Sequence, residues 1–543
     1  MRFSSFVLAV VLVACSHSAP PSPHAPQQVA STWKGPAILA PIPADTPYVV
    51  AVLEPLPEKL REHWYADNIS KVKQALQKAA SGEGRVALVA AALYSEIENA
   101  DDSHWPEALG FAMDARMVLY GLSIWPVLRL EVKDPVRLRE VLARIVKAGD
   151  PDLQPQTIGQ ATVYVLKDGK AAYVFGIVDH ELVGSVMPAE TVDRAMPLIL
   201  GTQPPAHSLR DAKLIPDLLA KHRYLPTMLA YADMPRLLEA VTGHGKGAGD
   251  KLTTMFEGKI PATCQDDLAR MASAFPRLSF GYRHLDEHGF SMTMVLDAPA
   301  SLLKSLAKLH TPMPAMQIKA QPMLAVGAAV NVDAMIAWMR DVTSQLRSHP
   351  FRCDALASVN HDIDELASKL GEPMPPMLQG LRGFELVVDD ATMMPPAGTG
   401  HLLVAGDHIA DLIRQMIVKI PELASLQLRP NGVALELPLA KLGVPASLKS
   451  AHFALRETRA ALAIGDSSAT RASERVAAPD AHAPLFVVSY DLPKLRERFG
   501  MFLSLKKDDD GMDAFNVGTT SFALDVGDDG IDLDVVGTWA HGR

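Results

Sequence analysis

The feature that most constrains this sequence is an internal repeat. Residues 226–241 read PTMLAYADMPRLLEAV and residues 484–499 read PLFVVSYDLPKLRERF. An alignment without gaps matches Pro226 with Pro484, Asp233 with Asp491, Pro235 with Pro493, Leu237 with Leu495, and Glu239 with Glu497. Each copy reads as an apolar strand, then Asp-x-Pro, then an amphipathic helix. Aspartate accepts hydrogen bonds from the unpaired amides of a helix start, and proline there forfeits no bond. The chain therefore builds one strand-to-helix module at least twice.

Further landmarks recur in the same order in each half. The first half has strand-to-helix modules near residues 48 and 134, a turn at 168, a module at 233 and a turn at 289. The second half has modules near 333 and 407, a turn at 431, a module at 491 and a turn at 530. Asp168-Gly169 and Asn431-Gly432 predict tight hairpins, because Gly, Asn and Asp tolerate positive φ. We therefore predict an α+β fold of two homologous halves, 44–309 and 324–543, joined by a linker at 310–323. Each half is expected to be a largely antiparallel sheet with helices packed on one face.

The N-terminus reads as an export signal. Arg2 precedes the nine-residue apolar run Phe6–Ala14, which is too short to span a bilayer. The run ends in Leu12-Val13-Ala14-Cys15, which resembles the lipobox of bacterial lipoproteins. The resemblance implies that residues 1–14 are a cleaved signal peptide and that Cys15 carries acyl chains. An ordinary secretory signal is the alternative interpretation.

The lipobox resemblance also implies a location. Residue 16 is Ser rather than Asp, which in proteobacterial lipoproteins favours the outer membrane. We expect a lipid-anchored protein of the cell envelope whose body faces the periplasm or, alternatively, the cell surface. Residues 15–43 are rich in proline and are expected to form an extended tether without a core of its own.

Three short segments of the body carry a second resemblance. Pro43–Val49, Tyr120-Gly121-Leu122 and Pro126–Arg129 are similar to an uncharacterised family of bacterial envelope proteins. That family has the same opening phrase and similar strand–helix modules. Its function is unknown, so the resemblance implies no catalytic residue.

Charge and hydropathy exclude two classes of protein. The 543 residues carry a formal net charge of −10, which argues against nucleic acid as a partner, because phosphate binding needs a basic surface. No apolar run reaches the ~18–20 residues of a membrane-spanning helix, so a polytopic membrane protein is excluded.

The cysteines fit an oxidising compartment. Beyond Cys15 the sequence contains only Cys264 and Cys353, and two cysteines in an exported protein predict one disulfide. Two free buried thiols are an alternative. A metal site is another, because Cys353 lies among His349, His361, Asp362 and Asp364, although no pair has the spacing that puts two ligands on one helical turn.

The remaining motifs predict no catalytic, cofactor or metal site. The sequence lacks G-x-S-x-G, a phosphate-binding loop and H-E-x-x-H. Other candidates are read as loops, turns or solvated helix faces; they are the Ser-x-x-Lys pairs Ser70/Lys73, Ser301/Lys304 and Ser305/Lys308, the glycine-rich run 243–249, the acidic runs 508–511 and 528–530, and His284 with His288.

These observations lead to a functional hypothesis. A lipid anchor, a duplicated body and no legible catalytic motif favour a non-enzymatic lipoprotein that binds or scaffolds another envelope component. One alternative is a carrier or sensor of an apolar ligand such as lipid. Another is an envelope hydrolase whose site is assembled from distant residues.

Overall fold

The chain forms two compact units with a boundary between Glu287 and His288. The computed structural model describes residues 35–100, 104–149, 153–242, 260–314, 322–393, 396–423, 426–448, 450–503 and 517–539. We call the parts before and after the boundary the N-terminal and the C-terminal unit. Both mix helices with antiparallel strands, so the predicted α+β class is confirmed.

The N-terminal unit is built around antiparallel strands. They are β1 (Tyr48–Val52), β2 (Met117–Leu122), β3 (Trp125–Glu131), β4 (Gln156–Ile158), β5 (Ala161–Asp168), β6 (Ala171–Val178), β7 (Glu181–Pro188), β8 (Leu229–Asp233) and β9 (Arg277–Leu285). Neighbours follow the order β4-β5-β6-β7-β3-β2-β1-β8-β9. Its helices are α1 (Glu58–Ala80), α2 (Arg85–Ile97), α3 (Trp105–Ala108), α4 (Pro135–Gly149), α5 (Val192–Leu200), α6 (Leu214–His222), α7 (Met234–Thr242) and α8 (Ala262–Ala274).

The C-terminal unit has a similar set of elements. Its strands are β10 (Gly289–Asp297), β11 (Met313–Pro314), β12 (Leu324–Ala328), β13 (Leu381–Met393), β14 (Pro396–Gly406), β15 (Leu435–Glu436), β16 (Ala451–Arg456), β17 (Arg459–Ile464), β18 (Asp480–Ala481), β19 (Phe486–Asp491), β20 (Val517–Val526) and β21 (Gly530–Trp539). Its helices are α9 (Ala300–Ala307), α10 (Val332–Ser348), α11 (Ala357–Gly371), α12 (Ile409–Ile417), α13 (Ser468–Ala477) and α14 (Leu492–Leu503).

The two units share one strand order. The C-terminal unit runs β15-β16-β17-β14-β13-β12-β19-β20-β21-β10, and β11 pairs separately with β18. The segment β5-β6-β7-β3-β2-β1-β8-β9 therefore corresponds strand for strand to β15-β16-β17-β14-β13-β12-β19-β20. A duplicated module predicts this correspondence. The predicted repeat boundaries at 309 and 324 stay a prediction. The boundary between Glu287 and His288 separates two compact units and does not test where a sequence repeat begins or ends.

The structure confirms that aspartates cap the predicted helix starts. The Asp233 carboxylate accepts a hydrogen bond from the Arg236 amide at 3.1 Å, and Asp491 accepts one from Lys494 at 3.0 Å. Asp134 accepts one in the same way from Arg137 at 3.0 Å. Each aspartate thus satisfies an amide of the first helical turn that has no partner within the helix.

Helices cover both faces of the C-terminal strands β14, β16 and β17, which differs from the single covered face that we expected. On one face, Leu403, Ala461 and Ala463 belong to a core cluster with Ala472 and Val476 of α13. On the other face, Ile409 and Ala410 of α12 cluster with Leu455 and Ala460. Alternate strand residues point to opposite faces, so these apolar runs bury both.

Each unit contains an ion pair on a face of its sheet that a helix covers. Arg129 of β3 pairs with Glu181 of β7 in the N-terminal unit, and Arg475 of α13 pairs with Glu385 of β13 in the C-terminal unit. The shared strand registers, started from Asp233 and Asp491, align Arg129 with Leu403. The two ion pairs therefore lie on the same face of their respective sheets, but their charged residues are not at equivalent positions of the repeat.

Part of the predicted tether folds into the N-terminal unit. Residues 37–39 form a 3₁₀ turn, and Ile38, Leu39 and Ile42 are at most 1% exposed. The expectation that residues 15–43 form no core is therefore wrong for 35–43. The prolines there fix local geometry, but the apolar side chains between them still pack.

Two further sequence predictions differ from the structure. In the predicted linker, Met313 of β11 is fully buried, so this part belongs to the C-terminal core. The predicted hairpin at Asn431-Gly432 is absent among the described residues around it, because β15 pairs with β16 and the Gly432 amide donates to Leu455. In contrast, the hairpins at Gly169 (β5–β6) and Gly527–Gly530 (β20–β21) form as predicted.

Candidate binding pocket

The N-terminal unit contains a cavity of about 1010 Å³. It lies where β3 ends, where β6 turns into β7 and where α5 ends. Its lining includes the basic residues Arg61, Arg129 and Lys133, the acidic residues Glu107, Asp114, Glu131, Asp179 and Glu181, and His180. Carboxylates thus outnumber permanently basic side chains five to three in the lining.

Strand register concentrates this negative charge. Glu131 of β3 lies directly opposite Glu181 of β7, so both side chains leave the same face of the sheet. Like charges in this position repel. The repulsion is offset because Arg116 Nη1 lies 3.1 Å from Glu131 Oε1 and Arg129 Nη1 lies 2.5 Å from Glu181 Oε2.

Arg129 is the best-buried charge of the pocket, with 1% of the residue exposed. Its Nη2 donates to the carbonyl of Ile199 at 2.6 Å, near the end of α5. A cation is favourable there because helix carbonyls carry partial negative charge at the C-terminus. The helix then ends at Gly201 with φ +73°, where an added Cβ would lie 3.2 Å from Arg129 Nη2. Glycine therefore leaves room for the guanidinium.

Electrostatics make the acidic side of the pocket the less satisfied one. Burial raises the pKa of the Glu181 carboxyl above its ordinary value, the nearby Arg129 opposes this rise, and the charges of Glu131 and Asp179 add to it. Within the described part of the chain, no ion pair involves Asp114 or Asp179, and both are exposed. A positively charged group entering the pocket would relieve this imbalance.

The structure confirms that the two cysteines of the body are oxidised to a disulfide. Cys264 and Cys353 are buried and disulfide-bonded. Their sulfurs are therefore not thiolate ligands, and the alternatives of free thiols and a metal at Cys353 fail. Two of the nearby candidate ligands have other contacts: His349 Nδ1 lies 2.9 Å from Ser348 Oγ, and Asp364 Oδ1 lies 2.9 Å from Arg347 Nε.

Other candidates from the sequence have structural contacts as well. The Ser305 hydroxyl donates to the Leu302 carbonyl at 2.7 Å and accepts from Trp338 Nε1 at 3.2 Å. This is not the arrangement of a Ser–Lys nucleophile. His284 Nε2 lies 3.0 Å from Asp286 Oδ2 at the end of β9.

Several predictions fall outside the described residues. They concern the signal peptide 1–14, the lipidated Cys15 with the tether up to residue 34, the glycine-rich run 243–249, the acidic run 508–511 and the linker residues 315–321.

Sequence reasoning missed the charged residues of the pocket. The signal was present: in Leu128-Arg129-Leu130-Glu131 the charges alternate with leucines on a predicted strand. Alternation reads as one wet face. The charged face is instead covered by α5 and residues 35–43, which are distant in sequence.

Comparisons with known proteins give no match. No family model, no curated protein and no solved structure matches the chain. Among the described residues, no helix combines the length and the hydropathy needed to cross a membrane.

Proposed function

We propose that this protein is a lipid-anchored lipoprotein of the cell envelope, held in the outer membrane through Cys15, that binds another envelope component without catalysis. The N-terminal pocket supplies the binding site. The observation that carries the binding role is the excess of carboxylates in the lining, of which Asp114 and Asp179 are exposed and have no ion pair among the described residues. The anchor depends on the lipobox Leu12-Val13-Ala14-Cys15 alone.

The pocket favours a small ligand with a positively charged group, such as a polyamine or an amine-bearing fragment of a larger envelope molecule. A cavity of about 1010 Å³ is at the upper end of the range for small-molecule sites. Asp114 and Asp179 are exposed carboxylates of its lining, and Glu131 and Glu181 are partly buried. An amine binding here exchanges water for charge-assisted hydrogen bonds.

The charged lining of this pocket does not favour an apolar ligand, so the lipid-carrier alternative gains no support from it. The hydrolase alternative gains none either, because the lining contains no Ser, Cys or Thr that is hydrogen-bonded to a base. The only hydroxyl in the lining is that of Thr202.

The binding role is tested by calorimetric titration of the purified full-length chain with spermidine. We expect saturable binding that weakens with salt, because exposed charges are screened. The double variant Asp114→Asn/Asp179→Asn should weaken binding by about tenfold, since each exposed charge contributes roughly 0.5–1 kcal/mol. A matched control is Asp193→Asn/Asp217→Asn, which removes two exposed carboxylates of the same unit outside the pocket.

Two outcomes contradict the binding role: wild type that does not bind spermidine, and a pocket variant that binds it as tightly as the control. The anchor is tested separately by fractionation of cells that express Cys15→Ala. We expect the variant to lack a lipid and to leave the membrane fraction. A lipid-free mature chain that stays in the membrane contradicts the anchor.

A further inference from the structure

Two histidines and an aspartate meet in the C-terminal unit, outside the candidate pocket. Asp525 Oδ2 lies 2.9 Å from His482 Nε2, and Asp525 Oδ1 lies 3.3 Å from His310 Nε2. The two imidazole rings stack with centroids 4.5 Å apart and planes inclined by 5°. One potential ligand atom from each residue lies within 4.8 Å of the other two.

The fold, rather than a local motif, brings these residues together. Strand β11 pairs with β18 through Met313 and Ala481, which places His310 before one strand beside His482 after the other. Asp525 comes from the end of β20, just before the turn into β21. The His310 amide is held by the Ala307 carbonyl at 3.2 Å. The site is therefore anchored on three separate segments.

Hydrogen bonding leaves this cluster incompletely satisfied. The Nε2 of His310 is buried and makes no hydrogen bond; its nearest carboxylate oxygen, Asp525 Oδ1, lies 3.3 Å away and accepts a hydrogen bond from the Val526 amide at 2.8 Å. The side chains of His310 and Asp525 are only 18% and 24% exposed. A buried ring nitrogen without a hydrogen bond is costly, and a bound metal ion would provide a stronger interaction than the 3.3 Å contact with Asp525.

The surrounding charge independently favours a cation. Asp525 lies directly opposite Asp532 in the β20–β21 register. Like charges directly opposite on an antiparallel pair are destabilising. A divalent ion on Asp525 would offset this repulsion.

We propose that His310, His482 and Asp525 bind a divalent transition-metal ion of the zinc class. Two imidazoles and a carboxylate are a common three-residue ligand set for zinc, with further positions left to water. Bonds of about 2.0–2.2 Å to a tetrahedral ion put ligand atoms about 3.3–3.5 Å apart. The distance of 3.3 Å between His310 Nε2 and Asp525 Oδ1 already has this value, whereas His482 Nε2 lies 2.9 Å from the other carboxylate oxygen, Oδ2.

One side chain has to move. Parallel rings direct their nitrogen lone pairs side by side rather than toward a shared point, so one ring must tilt. His482 is the mobile partner, because its side chain is 74% exposed. Metal binding is therefore expected to separate the stacked rings, and the remaining coordination positions face solvent.

The test is calorimetric titration of the untagged full-length chain with zinc chloride. His482→Gln is the main variant, because an exposed side chain can be changed without loss of the fold. His284→Gln is the control, because His284 also lies beside an aspartate, Asp286, but is not one of the three residues of the cluster. We expect wild type and control to bind one Zn²⁺ at this site with equal affinity, and His482→Gln to weaken binding at least tenfold.

Cobalt provides the second readout. Co²⁺ in a site with two imidazoles and a carboxylate should give the visible absorption of low-coordinate cobalt, and Asp525→Asn should remove it. A wild-type chain that binds no zinc overturns the proposal. Equal zinc binding by wild type and His482→Gln overturns it as well, because the bound zinc then lies elsewhere.

Discussion

Glu131 and Glu181 face each other directly across strands β3 and β7, and each is held by its own arginine. Arg116, the residue just before β2, neutralises Glu131, and the buried Arg129 of β3 neutralises Glu181. The repulsion between the two glutamates is thus offset by Arg116, which is not among the residues that line the cavity, and by Arg129, which is. This relationship makes separate predictions for stability and for ligand binding.

Removal of Arg129 should destabilise the N-terminal unit strongly. Arg129→Met leaves Glu181 half-buried without its cation, and breaking a buried pair costs about 3–5 kcal/mol. Urea unfolding followed by tryptophan fluorescence measures this loss. The double variant Arg129→Met/Glu181→Gln should recover most of it, because no uncompensated charge remains. If single and double variants unfold at the same urea concentration, the pair does not account for the loss.

Removal of Arg116 should have a smaller effect that depends on Glu131. The Arg116 side chain is 41% exposed, so water screens part of the charge. We expect Arg116→Met to cost about 1 kcal/mol by urea unfolding, as for a partly exposed pair. In the background Glu131→Gln the same substitution should cost less, and a double-mutant cycle gives the difference. A coupling energy of zero would contradict mutual neutralisation.

The two repeated aspartates should contribute equally to their own units. Asp233→Ala and Asp491→Ala each remove a hydrogen bond to a first-turn amide, which typically costs about 1 kcal/mol. Thermal unfolding measures both losses. Asp→Asn at the same positions retains an acceptor oxygen and should cost less, so a similar loss for Asn and Ala argues against the capping role.

Stability should depend on pH through Glu96. Hydrogen bonding from Arg144 lowers the pKa of the Glu96 carboxyl below its ordinary value, with N–O distances of 2.8 and 2.9 Å. Because the folded pKa is the lower one, the contribution is present above the unfolded pKa and is lost as pH falls through the folded pKa. Glu96→Gln should therefore lower the unfolding free energy by up to about 1 kcal/mol at pH 7. The difference from wild type should shrink below about pH 4. A difference that stays constant from pH 7 to pH 3 would show that charge is not its origin.

The alanine-rich core of the C-terminal unit should not accept larger side chains. Ala461 and Ala463 of β17 are fully buried against α13, and overpacking typically costs about 1–3 kcal/mol. Ala461→Val should show this loss in urea unfolding. The control Ala446→Val lies at an exposed position and should change stability by less than about 0.5 kcal/mol. Equal effects at the two positions would mean that the core has spare volume.

Local signals in the sequence predict much of this fold. Asp233 and Asp491 mark helix starts because the groups that they satisfy are within three residues. The turn at Gly169 is also predictable, because its signal, Asp168-Gly169, lies within the turn itself. Asn431-Gly432 has an equally good turn signal, but its backbone bonds go to Leu455 on another strand, which no local pattern reveals.

The candidate sites depend on contacts between distant segments, so the sequence predicts little of them. Arg129 and Glu181 meet only because β3 pairs with β7. His310, His482 and Asp525 meet only because β11 pairs with β18 and β20 ends nearby. The disulfide cysteines were predictable because the sequence reads as that of an exported protein, a class in which two cysteines typically pair, and this prediction needs no knowledge of the fold.

The different buried ion pairs of the two units have a consequence for the nascent chain. Strands with the same order and similar apolar faces can assemble with the wrong copy, a known failure of duplicated proteins. If β14 took the place of β3, Leu403 would stand where Arg129 belongs, and Glu181 would lose its counter-charge. If β2 took the place of β13, Arg475 would be left without Glu385. The unequal placement of four charges thus makes pairing with the strands of the other copy less favourable than the native pairing.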